Sequence, residues 1–240
     1  MLKIIQFIIN KIKGSDNYTF ENNVTLSNLV NILFLRTLQI MRGMILKIFA
    51  WNIKGLLFVG RGVKIDFKKS IYSGKNLILE DRVYINGLSK KGIFFGKNCT
   101  VGREAIILST GVIRNIGEGV KIGSNTAIGA RNFISGQGGI EIGSDVIMGP
   151  DIRIFSENHN FLNSSKIIKD QGENRKGVKV GDNCWIGANV TILDGVNIGD
   201  NSIIAAGSVV NESFKNDVLI GGVPARVLKD LNKDSGDIHE

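Results

Sequence analysis

From Val180 to Val210 an aliphatic residue stands at every sixth position: Val180, Ile186, Ile192, Ile198, Ile204 and Val210. Gly181, Gly187, Gly199 and Ala205 follow four of them. A second small or branched residue recurs four places on, at Cys184, Val190, Val196, Ser202 and Ser208. The phase recurs earlier at Ile116, Ile122, Ile128 and Ile134, shifts by two residues at Ile140-Glu141, and resumes at Ile142, Met148 and Ile154. Fainter copies fall at Phe95, Val101 and Ile107, and near Val59, Ile65 and Ile71. A period of six matches neither the 3.6 of a helix nor the 2 of a simple strand. It fits a coil with three short flat faces and three corners. In each repeat the aliphatic residue points inward, and the small residue after it lets the chain turn. One repeat cannot bury its apolar side alone, so the coils must stack into a continuous core, pairing backbone groups from coil to coil.

The period fails between about Phe155 and Gly177, in the polar stretch SENHNFLNSSKIIKDQGENRKG. A long excursion from a regular solenoid costs order and marks a functional segment. It contains His159, and the chain's other histidine, His239, lies in the C-terminal tail. Three histidine ligands for a catalytic zinc are therefore not available, and no metal site is expected. Cys99 and Cys184 form no C-x-x-C pair and read as small repeat residues in a reducing cytoplasm.

Before the repeats the chain is different. Leu2, Ile5, Ile8, Ile9 and Ile12 share one helical face over residues 1–13, and a second helix is expected from about Leu26 to Ala50. Arg36, Lys47 and Lys54 fall close together on its wheel. Residues 1–60 hold seven Lys/Arg and two Asp/Glu, so most of the net charge of +8 sits in the first quarter. A basic, apolar leading segment points to a membrane surface rather than nucleic acid. No A-x-A-like cleavage site follows the first apolar run, and Arg36, Arg42 and Lys47 interrupt the second, so neither a signal peptide nor a spanning helix is expected. The expected organisation is an amphipathic helical segment over 1–58, a β-helix over 59–222 with a catalytic loop at about 155–178, and a C-terminal helix and tail over 223–240.

The run VGDNCWIGANVTILDGVNIGDNSIIAAGSVV, followed by GGVPARVLKD, resembles the C-terminal signature of the hexapeptide-repeat acyltransferases. It is similar to the branch of galactoside, maltose and polysaccharide O-acetyltransferases, over about residues 116–230 and more loosely 59–115. The resemblance implies a mainly β fold, a left-handed parallel β-helix solenoid, and acetyl-CoA as acyl donor. In IEIGSDVIMGPDIRIFSENHNF, His159 falls where the family has its catalytic base. A neutral imidazole takes the proton from a sugar hydroxyl as it attacks the thioester, then returns it to the leaving thiolate. No covalent intermediate is needed, so no nucleophilic Ser or Cys is sought. Glu157, Asp151 and Glu173 are candidates to orient it.

The same resemblance implies that Trp185 borders the acyl-donor tunnel. Ala188 and Ala206 would let the pantetheine arm lie against the coils, with Asn211 near its path. Arg226 and Lys229 would meet the nucleotide phosphates. Two positions depart from the pattern: Glu212 stands where relatives often carry lysine, and Gly129, flanked by Asn125 and Asn132, stands near a usual acceptor-binding asparagine. The resemblance further implies a homotrimer with active sites between subunits. The expected function is acetyl transfer to a sugar hydroxyl of a surface polysaccharide or its precursor, by an enzyme that is cytoplasmic or peripheral at the inner face of the cytoplasmic membrane. The alternatives are a small cytoplasmic acceptor (a free sugar, a nucleotide-linked amino sugar or serine) and a non-enzymatic scaffold.

Overall fold

A computed structural model describes residues 10, 21, 24–50 and 52–232. The expected helix over residues 1–13 and the tail carrying His239 lie outside the described residues. Short strands, mostly of two or three residues, wind into three sheets that are parallel except at the last strand of the first face. The first face has nine strands, from Leu57–Val59 to Ala225–Asp230. The second has seven, from Lys64–Asp66 to Val209–Val210, and the third six, from Ile71–Ser73 to Asn197–Ile198. Successive strands visit the faces in turn, so each circuit forms one coil. Each strand pairs with its counterpart one coil away: Ile134 aligns with Ile107 and Ile154, and Ile186 with Met148 and Ile204.

The six residues from Val180 to Val210 are all at most 2% exposed, and so are Cys184, Val190, Val196, Ser202 and Ser208. Each fully buried aliphatic side chain contributes about 1.5–3 kcal/mol through removal from water. The two-residue shift has a local cause. Third-face strands such as Ile140–Ile142 bury both outer residues, and the corner before them, 136–139, is lengthened. Ile116 is the misassigned member of the series: it lies in a corner excursion over 109–119, and Val120 and Ile122 fill the core there.

The role expected of the small residue after each aliphatic also needs correcting. At Gly181 a Cβ would stand 2.2 Å from Asp200 Oδ1 and 2.7 Å from its amide nitrogen. The missing side chain therefore permits close stacking of coils, not a turn. The turn is made by non-glycine residues in the left-handed region, among them Asn98, Asn125, Asp145, Asn183 and Asn201. Asn and Asp tolerate that region best. Their side chains also bond from coil to coil: Asn98 Nδ2 donates to Asn125 Oδ1 (3.2 Å), and Asn125 Nδ2 to Asp145 Oδ1 (2.9 Å).

Helix α1, Leu26–Lys47, is capped by Thr25, whose hydroxyl accepts from the Asn28 amide (3.2 Å), and packs on the first strand of the first face. At the opposite end the expected C-terminal helix is absent among the described residues. Ala225–Asp230 is a strand, antiparallel to Val218–Gly222, with only Ala225 buried. It covers the open sheet edge that the last coil would otherwise expose.

Burial pushes the Cys99 thiol up to about 11 and also raises that of Cys184. Both stay protonated and inert at neutral pH.

Candidate functional site

The excursion leaves the solenoid after Arg153–Phe155 on the second face and rejoins it at Val178–Val180 on the third. It folds as a hairpin in which Asn158–His159 pairs antiparallel with Glu173–Asn174, setting His159 opposite Glu173. Gln171 closes the tip by bonding Asn163 and Lys166. His159 is exposed and lines an open concavity of about 900 Å³ with Asn158, Phe161, Lys166, Gln171 and Asn174.

The hairpin is tied to a second excursion, residues 109–119, at the same corner two coils earlier. Arg175, whose side chain is only 15% exposed, donates through Nε to Glu157 Oε2 (2.6 Å). Its Nη1 reaches Asn115 Oδ1 (2.9 Å) and Ile116 O (3.2 Å), and its Nη2 reaches Asn115 O (3.0 Å). Glu173 accepts from Arg114 Nη2 (2.9 Å) and Asn115 Nδ2 (3.2 Å). Arg114 first, then Asn115, holds the Glu173 carboxyl below the usual carboxylate range, so it stays charged throughout neutral pH. Below the hairpin, Asp194 accepts from the amides of Lys176 and Gly177 (2.9 and 2.8 Å). Arg175, Arg114, Asn115 and Asp194 were not singled out from the sequence. The visible signal for Arg114 and Asn115 is the gap in the period between Leu108 and Val120, and for Arg175 the break over 155–177; Asp194 carries none.

Of the three candidates to orient His159, Asp151 is excluded by position. It lies in the corner between the first and second faces and pairs with Arg131 (2.6 Å). Glu157 is committed to Arg175. Glu173 is the one placed across from the imidazole, with its carboxylate directed to Arg114.

The residues expected to hold the acyl donor lie elsewhere on the chain. Trp185 stands exposed on the first face, aligned between Ile147 and Ile203. Ala188 and Ala206 occupy the corner between the first and second faces on successive coils, joined by the Gly207 amide bonding Ala188 O (2.8 Å). Asn211 follows the last second-face strand and is exposed. Arg226 is exposed on the terminal strand and donates to Glu212 Oε1 (2.8 Å), so its charge is already partnered in this chain. Lys229 is exposed on the same strand, opposite Leu219. Within one chain the solenoid thus separates the His159 hairpin from Trp185, Ala188 and Ala206: the hairpin sits on the edge opposite the first face.

On the acceptor side, Gly129 has no room for a side chain, because a Cβ would stand 2.1 Å from Gly149 O. Asn125 belongs to the corner ladder. Asn132 is fully buried and accepts from the Ile152 amide (2.8 Å). Among the described residues, no group of three or more His, Cys, Asp or Glu could hold a metal ion.

The profile described as "Bacterial transferase hexapeptide (six repeats)" matches residues 177–212, and "Hexapeptide repeat of succinyl-transferase" matches 93–130 and 119–149. The chain is 32% identical over 134 residues to galactoside O-acetyltransferase of Escherichia coli (strain K12), covering 55% of this chain and 64% of that protein. The chain therefore spans just under two thirds of that relative's length. It is 29% identical over 167 residues to WbbJ of the same strain, whose name assigns it to O-acetyl transfer in lipopolysaccharide biosynthesis, covering 69% of this chain and 74% of that one. Among solved structures, a mutant of AntD, an N-acyltransferase from Bacillus cereus, superposes with a TM-score of 0.53 at 17% identity, covering 78% of this chain and 88% of that chain. The fold of this chain is a left-handed parallel β-helix, with a helix near the N-terminus.

Proposed function

We propose that this chain, which belongs to the hexapeptide-repeat acyltransferase family, transfers acetyl from acetyl-CoA to a sugar hydroxyl of a surface polysaccharide or its precursor. The observation that carries the reading is the His159 hairpin. It is the one long departure from the repeat after Val120, and it presents an imidazole to a concavity large enough for a sugar. The names of the galactoside and lipopolysaccharide relatives supply the acceptor class. In the proposed step His159 accepts the hydroxyl proton as the oxygen attacks the acetyl carbonyl. The tetrahedral adduct collapses with cleavage of the C–S bond, and the proton passes to the coenzyme A thiolate. Acetyl-CoA does not cross membranes, so the reaction belongs on the cytoplasmic side.

The site is completed between subunits, in a homotrimer. His159 of one protomer meets Trp185, Ala188 and Ala206 of its neighbour, groups that the solenoid keeps apart in a single chain. Asn211, Arg226 and Lys229 lie toward the nucleotide end, where a phosphate would displace Glu212 from Arg226. The hairpin tip supports the assembly: Phe161, Leu162, Ile167 and Ile168 are all exposed, an apolar cluster suited to a protein contact.

Two measurements test this reading. Radiolabelled acetyl-CoA is offered with a panel of lipid-linked oligosaccharides, free sugars, nucleotide-linked amino sugars and serine. Label is expected in alkali-labile ester on the glycans, and label confined to amide or serine products would sink the acceptor assignment. Separately, His159→Ala and Ala206→Trp chains are each expected to be inactive. Refolded together they are expected to regain activity, since mixed trimers contain some intact interfaces. No recovery from mixtures of confirmed mixed assembly would show that the site lies within one chain.

A further inference from the structure

Helix α1 is oriented against the usual rule for a surface helix. Arg36, Gln39, Arg42 and Lys47 turn toward the solenoid, while Ser27, Asn28, Asn31 and Thr37 stay exposed. Arg36 Nη1 donates to Glu80 Oε1 (3.0 Å), Gln39 Nε2 to Glu80 Oε2 (3.2 Å), Arg42 Nη1 to Val59 O (3.2 Å) and Lys47 Nζ to Gly55 O (2.8 Å). Gly43 lets the helix backbone touch the first strand, since a Cβ there would overlap Leu57 O. The opposite stripe, at helical spacing, is apolar and open: Val30 (55% exposed), Phe34 (61%), Met41 (51%), Ile45 (64%) and Ile48 (68%). An exposed apolar face of this length is a contact surface rather than scattered surface hydrophobes.

Its rim indicates what covers it. Ile48 and Phe49 continue into an open concavity of about 520 Å³ shared with Phe67, Lys68 and Lys69. Phe67 is exposed although its backbone is left-handed (φ 54°), a conformation that bulky residues rarely adopt. Across residues 24–75 there are nine Lys/Arg and one acid, Asp66. Aromatic and aliphatic side chains beside lysines, on a strongly basic end of the molecule, complement an anionic lipid surface. A second copy of the same basic end would be repelled instead.

We propose that the outward face of α1, with Phe67, Lys68 and Lys69, seats this protein on an anionic bilayer, with α1 lying in the plane of the interface. By length and composition α1 could also cross a membrane. The anchorage argues for the in-plane arrangement, because a crossing helix would have to strip Arg36, Gln39, Arg42 and Lys47 from the solenoid and carry them into hydrocarbon. The proposal is independent of the acetyl-transfer reading, since an inert solenoid with this face would bind equally.

The test is flotation of the full-length protein with vesicles of phosphatidylcholine alone or mixed with phosphatidylglycerol, at low and high salt. Wild type is expected to float with the anionic vesicles and to be released by salt. Lys68→Gln with Lys69→Gln, away from the helix packing, is expected to weaken that binding about 25-fold, at roughly fivefold per lysine. Phe34→Gln with Ile45→Gln and Phe49→Gln is expected to abolish binding to both vesicle types while leaving the circular dichroism spectrum unchanged. If the apolar variant misfolds, the lysine pair decides. Failure of wild type to float at low salt would overturn the proposal, as would binding that neither variant alters or a soluble dimer that the apolar variant converts to monomer. Turnover of a soluble acceptor by these variants is read in parallel, so loss of membrane binding and loss of catalysis are seen separately.

Discussion

His159→Ala is expected to lower kcat by about 10²–10⁴-fold, the usual worth of a positioned general base, or about 3–5 kcal/mol of barrier. The acceptor hydroxyl is too weakly acidic to lose its proton unaided at neutral pH, so the loss falls on the chemical step. Binding of acetyl-CoA, measured by calorimetry on the folded variant, is expected to stay within about twofold, because the proposed donor site is built from other residues. Among the described residues, neither the two cysteines nor Glu173 is placed to substitute. The two cysteines are buried and protonated, and the carboxylate opposite His159 is bound by Arg114 and Asn115. A variant that turns over like wild type would refute the proposed mechanism. One that loses donor binding and turnover together would make His159 a structural residue.

The parts of this molecule that the sequence reveals are those that repeat. Ile186, Ile192 and Ile198 occupy the same environment on three different faces, so the spacing alone reports which residues point inward. His159 is legible for the opposite reason, as it stands where the spacing stops. What resists reading is whatever depends on contact between coils. A glycine that follows an aliphatic, such as Gly181, looks like a turn residue until the next coil is seen pressing on it. The asparagine ladder is equally a property of the stack: one asparagine explains little, whereas Asn98, Asn125 and Asp145 in vertical register explain a corner. Ile116 fits the period by number and misses it in space, because an eleven-residue excursion separates Leu108 from Val120. Residues 223–232 carry apolar residues at Val227 and Leu228 that follow no strand alternation, since both remain exposed in a strand that serves to close an edge.

The Arg175 network follows from the same limit, since it joins residues about sixty positions apart, and it yields the second large effect. Arg175→Ala is expected to reduce kcat/KM for acetyl transfer by about 10²-fold, the cost of a displacement near 1 Å at the reacting centre. Arg175 touches no reacting atom in the proposed mechanism. It is a positioning residue that clamps the hairpin through Glu157 and fastens it to the 109–119 excursion through Asn115 and Ile116. Removing it strands the Glu157 carboxylate, whose side chain is 21% exposed, and two backbone carbonyls. Breaking a fully buried pair costs about 3–5 kcal/mol, and this partly exposed one about 2–3 kcal/mol, concentrated in the loop. Global melting is expected to move little, because the loop lies outside the stacked core, while amide exchange at residues 157–175 accelerates. Arg175→Lys restores one donor of the fork and is expected to recover only part of the activity. In the cycle with Glu157→Gln, the two losses are expected to be markedly less than additive, since both remove the same clamp. Arg114→Ala provides the contrast. That side chain is 67% exposed, and although Glu173 is only 11% exposed it keeps its bond from Asn115, so the loss is expected to cost less than about tenfold. Equal effects from Arg114→Ala and Arg175→Ala would mean that the buried fork does not position the hairpin.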